Sequence, residues 1–343
     1  MRIGNCFSYT KTNNFYDNRC YSELTLPDSV VSIGNYAFAR GYNFVKINIP
    51  DSVQTIGESA FYREEAVNHI DPEFTVEFYF NGGVICDNIL DGQHYTHLIL
   101  ADYIHTIGNQ SFANSSLLKF VSFPDTISKI GTDIFLLDED LDLTVRYVDG
   151  IIDDYIYYNH FMITKVTIED NIVSIGQHSF DSCKGIIEIS VPDSINYIGA
   201  YAFYDCNSMA SINIPDGVEK ILSHTFYGCA SLGNIVTPDS VTAVEDYAFY
   251  GCVAATSITL SQNCESIGEA AFYNCKALTE LDIPASVKQI GEYAFRSCVE
   301  IKELDFSDNV EEIGACAFYD CNALETVRLG KKIVELKDRL FYG

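Results

Sequence analysis

Apolar residues recur along this chain in short triplets with one polar position between them. Leu24-Thr25-Leu26, Ile47-Asn48-Ile49, Ile189-Ser190-Val191, Ile212-Asn213-Ile214 and Leu281-Asp282-Ile283 show the form. Alternation of period two, rich in β-branched residues, predicts short strands. Proline often follows, as at Pro27, Pro50, Pro192, Pro215 and Pro284. It cannot donate to a central ladder, so each strand ends there. The Asp-Ser that commonly comes next suits a turn. An apolar residue and then Ile-Gly come after it, as at Ile33-Gly34, Ile198-Gly199 and Ile290-Gly291. The glycine predicts a backbone conformation that a Cβ would penalise. The unit closes on Tyr-Ala-Phe-Tyr-x-Cys, compact enough for one turn of 3₁₀ or α helix.

The Phe of that closing motif sets the period. It falls at Phe38, Phe61, Phe112, Phe135, Phe180, Phe203, Phe226, Phe249, Phe272, Phe295, Phe318 and Phe341, and nine of the eleven intervals are 23 residues. The exceptions, 51 and 45 residues, are each close to two periods and hide one degenerate coil apiece, which makes fourteen coils. A 23-residue unit cannot bury its own apolar face, so stacked neighbours must share one core. Residues 21–343 therefore read as one solenoid, with residues 1–20 as an N-terminal cap or extension. Variant coils lie near 72–97 and 141–164, where Asn81-Gly82 and Asp149-Gly150 between apolar runs predict protruding hairpins.

The consensus, in Ile214-Pro215-Asp216 and in Ile290-Gly291-Glu292-Tyr293-Ala294-Phe295, resembles the BspA-like (Treponema-type) leucine-rich repeat family. The resemblance spans essentially residues 21–343. With the period, it implies an α/β-type leucine-rich-repeat solenoid: a right-handed curved stack with a parallel sheet on one face and short 3₁₀ or helical turns on the other. It also implies a surface-exposed or secreted protein with adhesion and binding roles.

Composition narrows the partners. Asp and Glu number 48 against 21 Lys and Arg, for a net charge of −27. Nucleic acid and anionic membranes both call for a basic surplus, so neither is expected as a partner. No apolar run is long enough to span a membrane, and the first residues lack the apolar core of a signal peptide. A cytoplasmic home therefore stays open beside the surface one.

The chain carries no Gly-x-Ser-x-Gly, His-Glu-x-x-His or phosphate-loop motif. A non-enzymatic protein without metal or cofactor is expected. Seven of the 12 cysteines, Cys183, Cys206, Cys229, Cys252, Cys275, Cys298 and Cys321, stand three places after the anchor Phe. They read as one packing slot copied from coil to coil.

Two columns remain as candidate surfaces for a protein or glycan ligand. On the concave sheet, the outward strand positions include Asn48, Ser122, Thr167, Ser190, Asn213, Thr259, Asp282 and Asp305, with Glu280 and Glu303 two residues earlier in their units. On the convex side, Tyr204, Tyr227, Tyr250, Tyr273 and Tyr319 follow the anchor Phe as an aromatic stripe. The final coil holds Arg328, Lys331, Lys332, Lys337 and Arg339 against Glu335 and Asp338. This local +3 on an acidic body suggests end-to-end self-association through that coil. An intracellular assembly scaffold using the same surfaces is the competing reading.

Overall fold

The computed structural model describes residues 23–34, 37–38, 46–50, 52–53, 55–56, 75–80, 84–85, 87, 97–100, 104–113, 115, 118–124, 126–131, 134–135, 141–145 and 150–343. The expected cap at 1–20 lies outside them. The chain forms two compact units, Met1–Val148 and Asp149–Gly343.

In the first unit, strands Glu23–Thr25, Lys46–Ile49, Thr75–Phe80, His97–Leu100, Phe120–Ser122 and Leu141–Val145 form a parallel ladder in chain order. A second ladder joins Val84–Ile85, Thr106–Ile107 and Lys129–Ile130. Between them lie buried Leu98, Leu100, Val121, Leu141 and Leu143, with Phe112 and Phe135 stacked at 6.0 Å.

In the second unit, Ile163–Ile168 pairs with Glu188–Ser190. Asn234–Val236, Ser257–Thr259 and Glu280–Asp282 form one group, and Glu303–Asp305 pairs with Thr326–Arg328. The short second strands run Ile151–Ile152, Ser174–Ile175, Tyr197–Ile198, and then Lys220–Ile221 through Glu312–Ile313. Phe180, Phe203, Phe226, Phe249, Phe272 and Phe295 are fully buried and stack ring on ring, with Phe249 at 5.1 Å from Phe226 and 5.3 Å from Phe272. The coil concealed in the 45-residue interval is present: Tyr157 takes the anchor place, buried and stacked on Phe180 at 5.1 Å.

In both stretches expected to carry a protruding hairpin, the described strands pair in parallel with neighbouring coils. Thr75–Phe80 lies between Lys46–Ile49 and His97–Leu100, and Ile151–Ile152 beside Ser174–Ile175. Residues 81–83 and 146–149 lie outside the described ones.

The expected helical face is absent: the described residues contain no helix. The reason is visible in the amides of Tyr201–Cys206. Tyr201, Phe203 and Asp205 donate to the next coil, at Ser223, Thr225 and Tyr227 (3.2, 2.9 and 2.7 Å). Ala202, Tyr204 and Cys206 turn back to Gly199, Tyr201 and Phe203 (3.2, 3.1 and 3.3 Å). A helix directs every amide the same way. Here they alternate, which places Tyr201 (φ 59°) and Asp205 (φ 56°) in the left-handed region. The segment is a chain of overlapping turns that doubles as a third inter-coil ladder. About ten turns of about 23 residues are complete, fewer than the fourteen expected; in the first unit most coils are described through their strands alone.

The Ile-Gly glycines serve a purpose other than the one expected. Among the described glycines, only Gly150, Gly228, Gly251 and Gly343 have positive φ. A Cβ on Gly291 would instead lie 2.5 Å from the backbone of Gly268 and Glu269 in the coil before, and one on Gly314 2.4 Å from Glu292. Close approach of neighbouring coils, and not torsion, selects glycine here.

At one coil that lacks this glycine the ladders open, although Glu245, in the same slot one coil on, keeps its bond to Ile221 O at 2.8 Å. In the open coil Leu222 occupies the slot, and the bond homologous to Gly199 N–H to Ile175 O (2.8 Å) is missing. Gly217 replaces the Ser whose hydroxyl bonds the preceding coil elsewhere, as Ser194 does to Ile172 O and Ser240 to Val218 O. The short-strand ladder breaks between Tyr197–Ile198 and Lys220–Ile221, and Ser211–Asn213 forms no strand. On the turn side the same coils stay bonded through Tyr201, Phe203 and Asp205.

Candidate binding surfaces

Along the strand side, residues alternate outward and inward as the pleat requires. In the second unit Glu188 and Ser190 are exposed around buried Ile189; Asn234 and Val236 flank Ile235, and Glu303 and Asp305 flank Leu304 in the same way. Asn213, Thr259, Glu280 and Asp282 are also exposed, and Thr167 is half-buried. In the first unit Asn48 and Ser122 are half-buried, and the Asn48 amide donates to Thr25 Oγ1 at 3.0 Å.

The column changes character along the second unit. Its middle is neutral and internally bonded: Thr256 and Ser257 hydroxyls both donate to Asn234 Oδ1 at 3.1 Å. Further on it becomes acidic, and the ladder stops between Glu280–Asp282 and Glu303–Asp305. The register sets Glu280 against Glu303 and Asp282 against Asp305. Like charges directly opposed are destabilising, which accounts for the missing pairing. The ladder resumes where Arg328 reaches both carboxylate oxygens of Asp305, at 3.0 and 3.3 Å.

The basic final coil is engaged within the molecule. Lys331 pairs with Asp308 and Lys332 with Glu311 on the coil before, and Lys337 pairs with Glu335. Such exposed pairs contribute little individually, but they neutralise the excess charge on which end-to-end association was expected to rest.

On the turn side, Tyr204, Tyr227, Tyr250 and Tyr273 stack face to face at 4.5–4.7 Å. The faces are therefore covered by neighbouring rings, and the stripe presents edges and hydroxyls. Burial, with neighbouring phenols as a smaller cause, pushes the Tyr227 phenol up to about 12. Arg296 takes the Tyr place between Tyr273 and Tyr319, with its guanidinium 5.4 and 4.5 Å from those ring centroids.

Beside the stripe runs a second aromatic column, two places before the anchor Phe, whose tyrosines the sequence showed but whose alternation with histidine it did not. Tyr155, His178, Tyr201, His224 and Tyr247 stack at 4.4–4.8 Å, tyrosine and histidine alternating. His178 Nδ1 meets the buried carboxylate of Asp181 at 2.6 Å, and burial lowers the His224 pKa. The recurrence of His178 and His224 at one repeat position was the available signal.

The cysteine slot is buried throughout the column. Each thiol donates to the carbonyl of the anchor residue one coil earlier: Cys183 to Tyr157 O at 2.9 Å, Cys206 to Phe180 O at 3.2 Å, Cys252 to Phe226 O at 3.5 Å. Burial pushes the thiols of Cys183, Cys206, Cys229, Cys252 and Cys298 far up, and that of Cys321 to about 12. Such thiols are poor nucleophiles and poor metal ligands. Among the described residues no three His, Cys, Asp or Glu converge to hold a metal ion, and no helix is long and apolar enough to cross a membrane.

A groove of about 520 Å³ crosses the second unit, lined by Asp246, Glu269, Glu292, Glu312 and Lys337. Its carboxylates are partly spent on structure: Asp246 Oδ1 accepts the Glu269 amide at 2.8 Å, and Glu269 accepts the Tyr247 hydroxyl.

The model of the BspA type leucine rich repeat region matches in 6 copies, over residues 8–136, 150–252 and 219–343. The chain belongs to the BspA-type leucine-rich repeat family. Among solved structures, a leucine-rich repeat protein from Bacteroides ovatus is 25% identical, with a TM-score of 0.57 over 90% of this chain and 87% of the other. A leucine rich cell surface protein from Faecalibacterium prausnitzii is 23% identical over 90% and 87%, with a TM-score of 0.42. The Treponema pallidum leucine-rich repeat protein is 24% identical over 57% of this chain and 82% of its own, at 0.44. No curated protein matches the chain. Membership of this family suggests a binding or interaction module, and such repeat proteins are typically non-enzymatic binding scaffolds.

Proposed function

We propose that this chain is a non-enzymatic binding module, displayed at a cell surface or secreted, that recognises a protein or glycan through its strand side. One observation carries the reading: exposed strand residues sit in fixed register yet differ from coil to coil, whereas the inward Phe and Cys columns repeat. A surface relieved of packing is where a specificity can be encoded. The candidate residues are Asn48, Ser122, Thr167, Ser190, Asn213, Thr259, Glu280, Asp282, Glu303 and Asp305. The tyrosine stripe is the weaker surface, because its ring faces are covered.

The test is a binding screen of the purified chain against matrix proteins and glycans. Two variants accompany it: Asn213→Lys with Thr259→Lys on the strand side, and Tyr227→Phe with Tyr250→Phe on the turn side. A partner lost by the first and kept by the second supports the reading. Partners that survive the strand-side changes refute it. The nine described cysteines are free, which favours an intracellular scaffold as second reading. Counting thiols by mass spectrometry on unreduced native protein separates the two, since an oxidising exterior leaves few free.

A further inference from the structure

Neighbouring coils of the second unit are joined along three lines: the strands, the short second strands and the turns. Between the coil ending at Cys183 and the coil ending at Cys206 all three carry main-chain bonds. Ile187 donates to Thr164 O (2.8 Å), Asn196 and Gly199 donate to Val173 O and Ile175 O (2.9 and 2.8 Å), and His178, Phe180 and Ser182 donate forward to Ala200, Ala202 and Tyr204 (3.2, 2.9 and 2.7 Å). Between the coil ending at Cys206 and the coil ending at Cys229 only the turn line survives. Ala210, Glu219 and Leu222 stand in the places of Ile187, Asn196 and Gly199, and none of their amides reaches the coil before. Every other interface from Cys183 to the final coil keeps at least two lines. Where Glu280–Asp282 and Glu303–Asp305 do not pair, Gln289–Ile290 and Glu312–Ile313 do; the final coil has no short strand but keeps Thr326–Arg328 on Glu303–Asp305.

The surviving line is as well built as elsewhere. Tyr201, Phe203 and Asp205 make their forward bonds at 2.7–3.2 Å. Across the same interface Tyr201 stacks on His224 at 4.4 Å, Tyr204 on Tyr227 at 4.7 Å and Phe203 on Phe226 at 5.6 Å. On the opposite side solvent enters. Ile212 is half-buried, whereas Ile189, Ile235 and Ile258 in the same inward place are buried. Gly217 gives any movement a direction. A Cβ there would lie 2.8 Å from Ile195 O and 3.1 Å from Asn196 Cα. The two backbones already touch at that point without bonding, so they can part but not close further.

We propose that this interface is a hinge, at which the strand sides of the two stacks part and return about the turn ladder. Opening gives up no main-chain hydrogen bond and wets an inward side chain that is already partly wet; local opening costs least under those conditions. The coils on either side stay bonded along two or three lines and move as rigid parts, as hinge motion requires. Ser190 then lies on one side of the joint and Asn213, Thr259 and Asp282 on the other, so the motion alters the spacing of the outward column at one place. It holds whether or not the strand side binds a partner.

The test is pulsed dipolar electron paramagnetic resonance on the full chain. Nitroxides are attached to ketone side chains introduced at Ser190 and Asp305, or at Asn213 and Arg328, so that the native cysteines stay untouched. Each pair is five repeats apart, about 24 Å along the stack, and only the first spans the hinge. The expected result is a broader distance distribution for the first pair, with its added population at longer distances. Gly217→Ser with Leu222→Gly restores the residues of the neighbouring coils and should narrow the first pair to the width of the second. Ser240→Gly with Glu245→Leu copies the hinge residues one coil on and should broaden the second pair. Circular dichroism checks that each variant is folded; if the restored variant is not, the copied hinge decides. Equal widths for the two pairs in the parent chain overturn the proposal. So do added distances on the short side, a folded restored variant that stays broad, or a copied hinge that leaves the second pair narrow.

Discussion

Replacing Gly291 by Ala isolates what holds neighbouring coils at their spacing. The added methyl would sit 2.5 Å from Glu269 N and Gly268 C and 2.7 Å from Gly268 O. These are main-chain atoms, so no side-chain rotation relieves the clash. The coil must move, and the Gly291 N–H to Ile267 O bond of 2.8 Å is strained or lost. Overpacking costs about 1–3 kcal/mol and a lost bond about 1 kcal/mol, for a total of roughly 2–4 kcal/mol. Gly233 supplies the control: a Cβ there would find only Ala210 O, at 3.8 Å. Gly233→Ala should be neutral or stabilising by up to about 1 kcal/mol through the unfolded chain. Urea unfolding followed by far-ultraviolet circular dichroism gives the comparison. Hydrogen exchange should show faster exchange at Gly291 and Gly314, whose amides bond the coils before them. If the two alanine variants are equally stable, close approach is not why glycine stands after isoleucine.

Phe249→Ala removes a ring with no exposure and two stacking partners, and should cost about 3–5 kcal/mol, felt also in the coils of Phe226 and Phe272; unchanged melting would show that the Phe column is not the core. The thiols of Cys183, Cys206, Cys229, Cys252, Cys298 and Cys321 titrate higher folded than unfolded. Their contribution is complete below pH 9 and is lost as pH rises above it, at about 1.4 kcal/mol per pH unit for each thiol that ionises only in the unfolded chain. Thermal unfolding should drop steeply between pH 8 and pH 11, and less so in a variant with two of the column cysteines changed to Ala; parallel profiles for the two proteins would contradict this.

The period and the core were legible because one large residue, Phe, marks most coils at a spacing that packing cannot vary. Tyr157 escaped that search since it fills the same slot with a different ring. The turn segment misled because Tyr-Ala-Phe-Tyr-x-Cys has the length of a helical turn. What excludes the helix is the direction of alternate amides, which depends on the next coil and leaves no local pattern. The glycine slot was visible, but its cause was not: a Cβ clash with residues about 23 places away cannot be told from a torsional need within one unit. Leu222 and Gly217 look like tolerable variation in a list of repeats. Only the stacked coils show that together they coincide with an opening of two ladders. The outward strand residues followed from alternation alone.

The alternation of amides along each turn has a consequence for how such a chain can change its length. Along the turns of the second unit, each coil offers one neighbour the same donors and acceptors that it takes from the other. A copy error that removes or adds one complete period returns each group to an equivalent partner, with the Phe and Cys columns unbroken. Any other number of residues shifts both left-handed positions and the glycine out of line at once. Length in this lineage is thus free to vary by recombination between repeats, but in whole steps. Deleting residues 234–256 should give a folded, shorter protein, whereas deleting twenty residues from the same place should not.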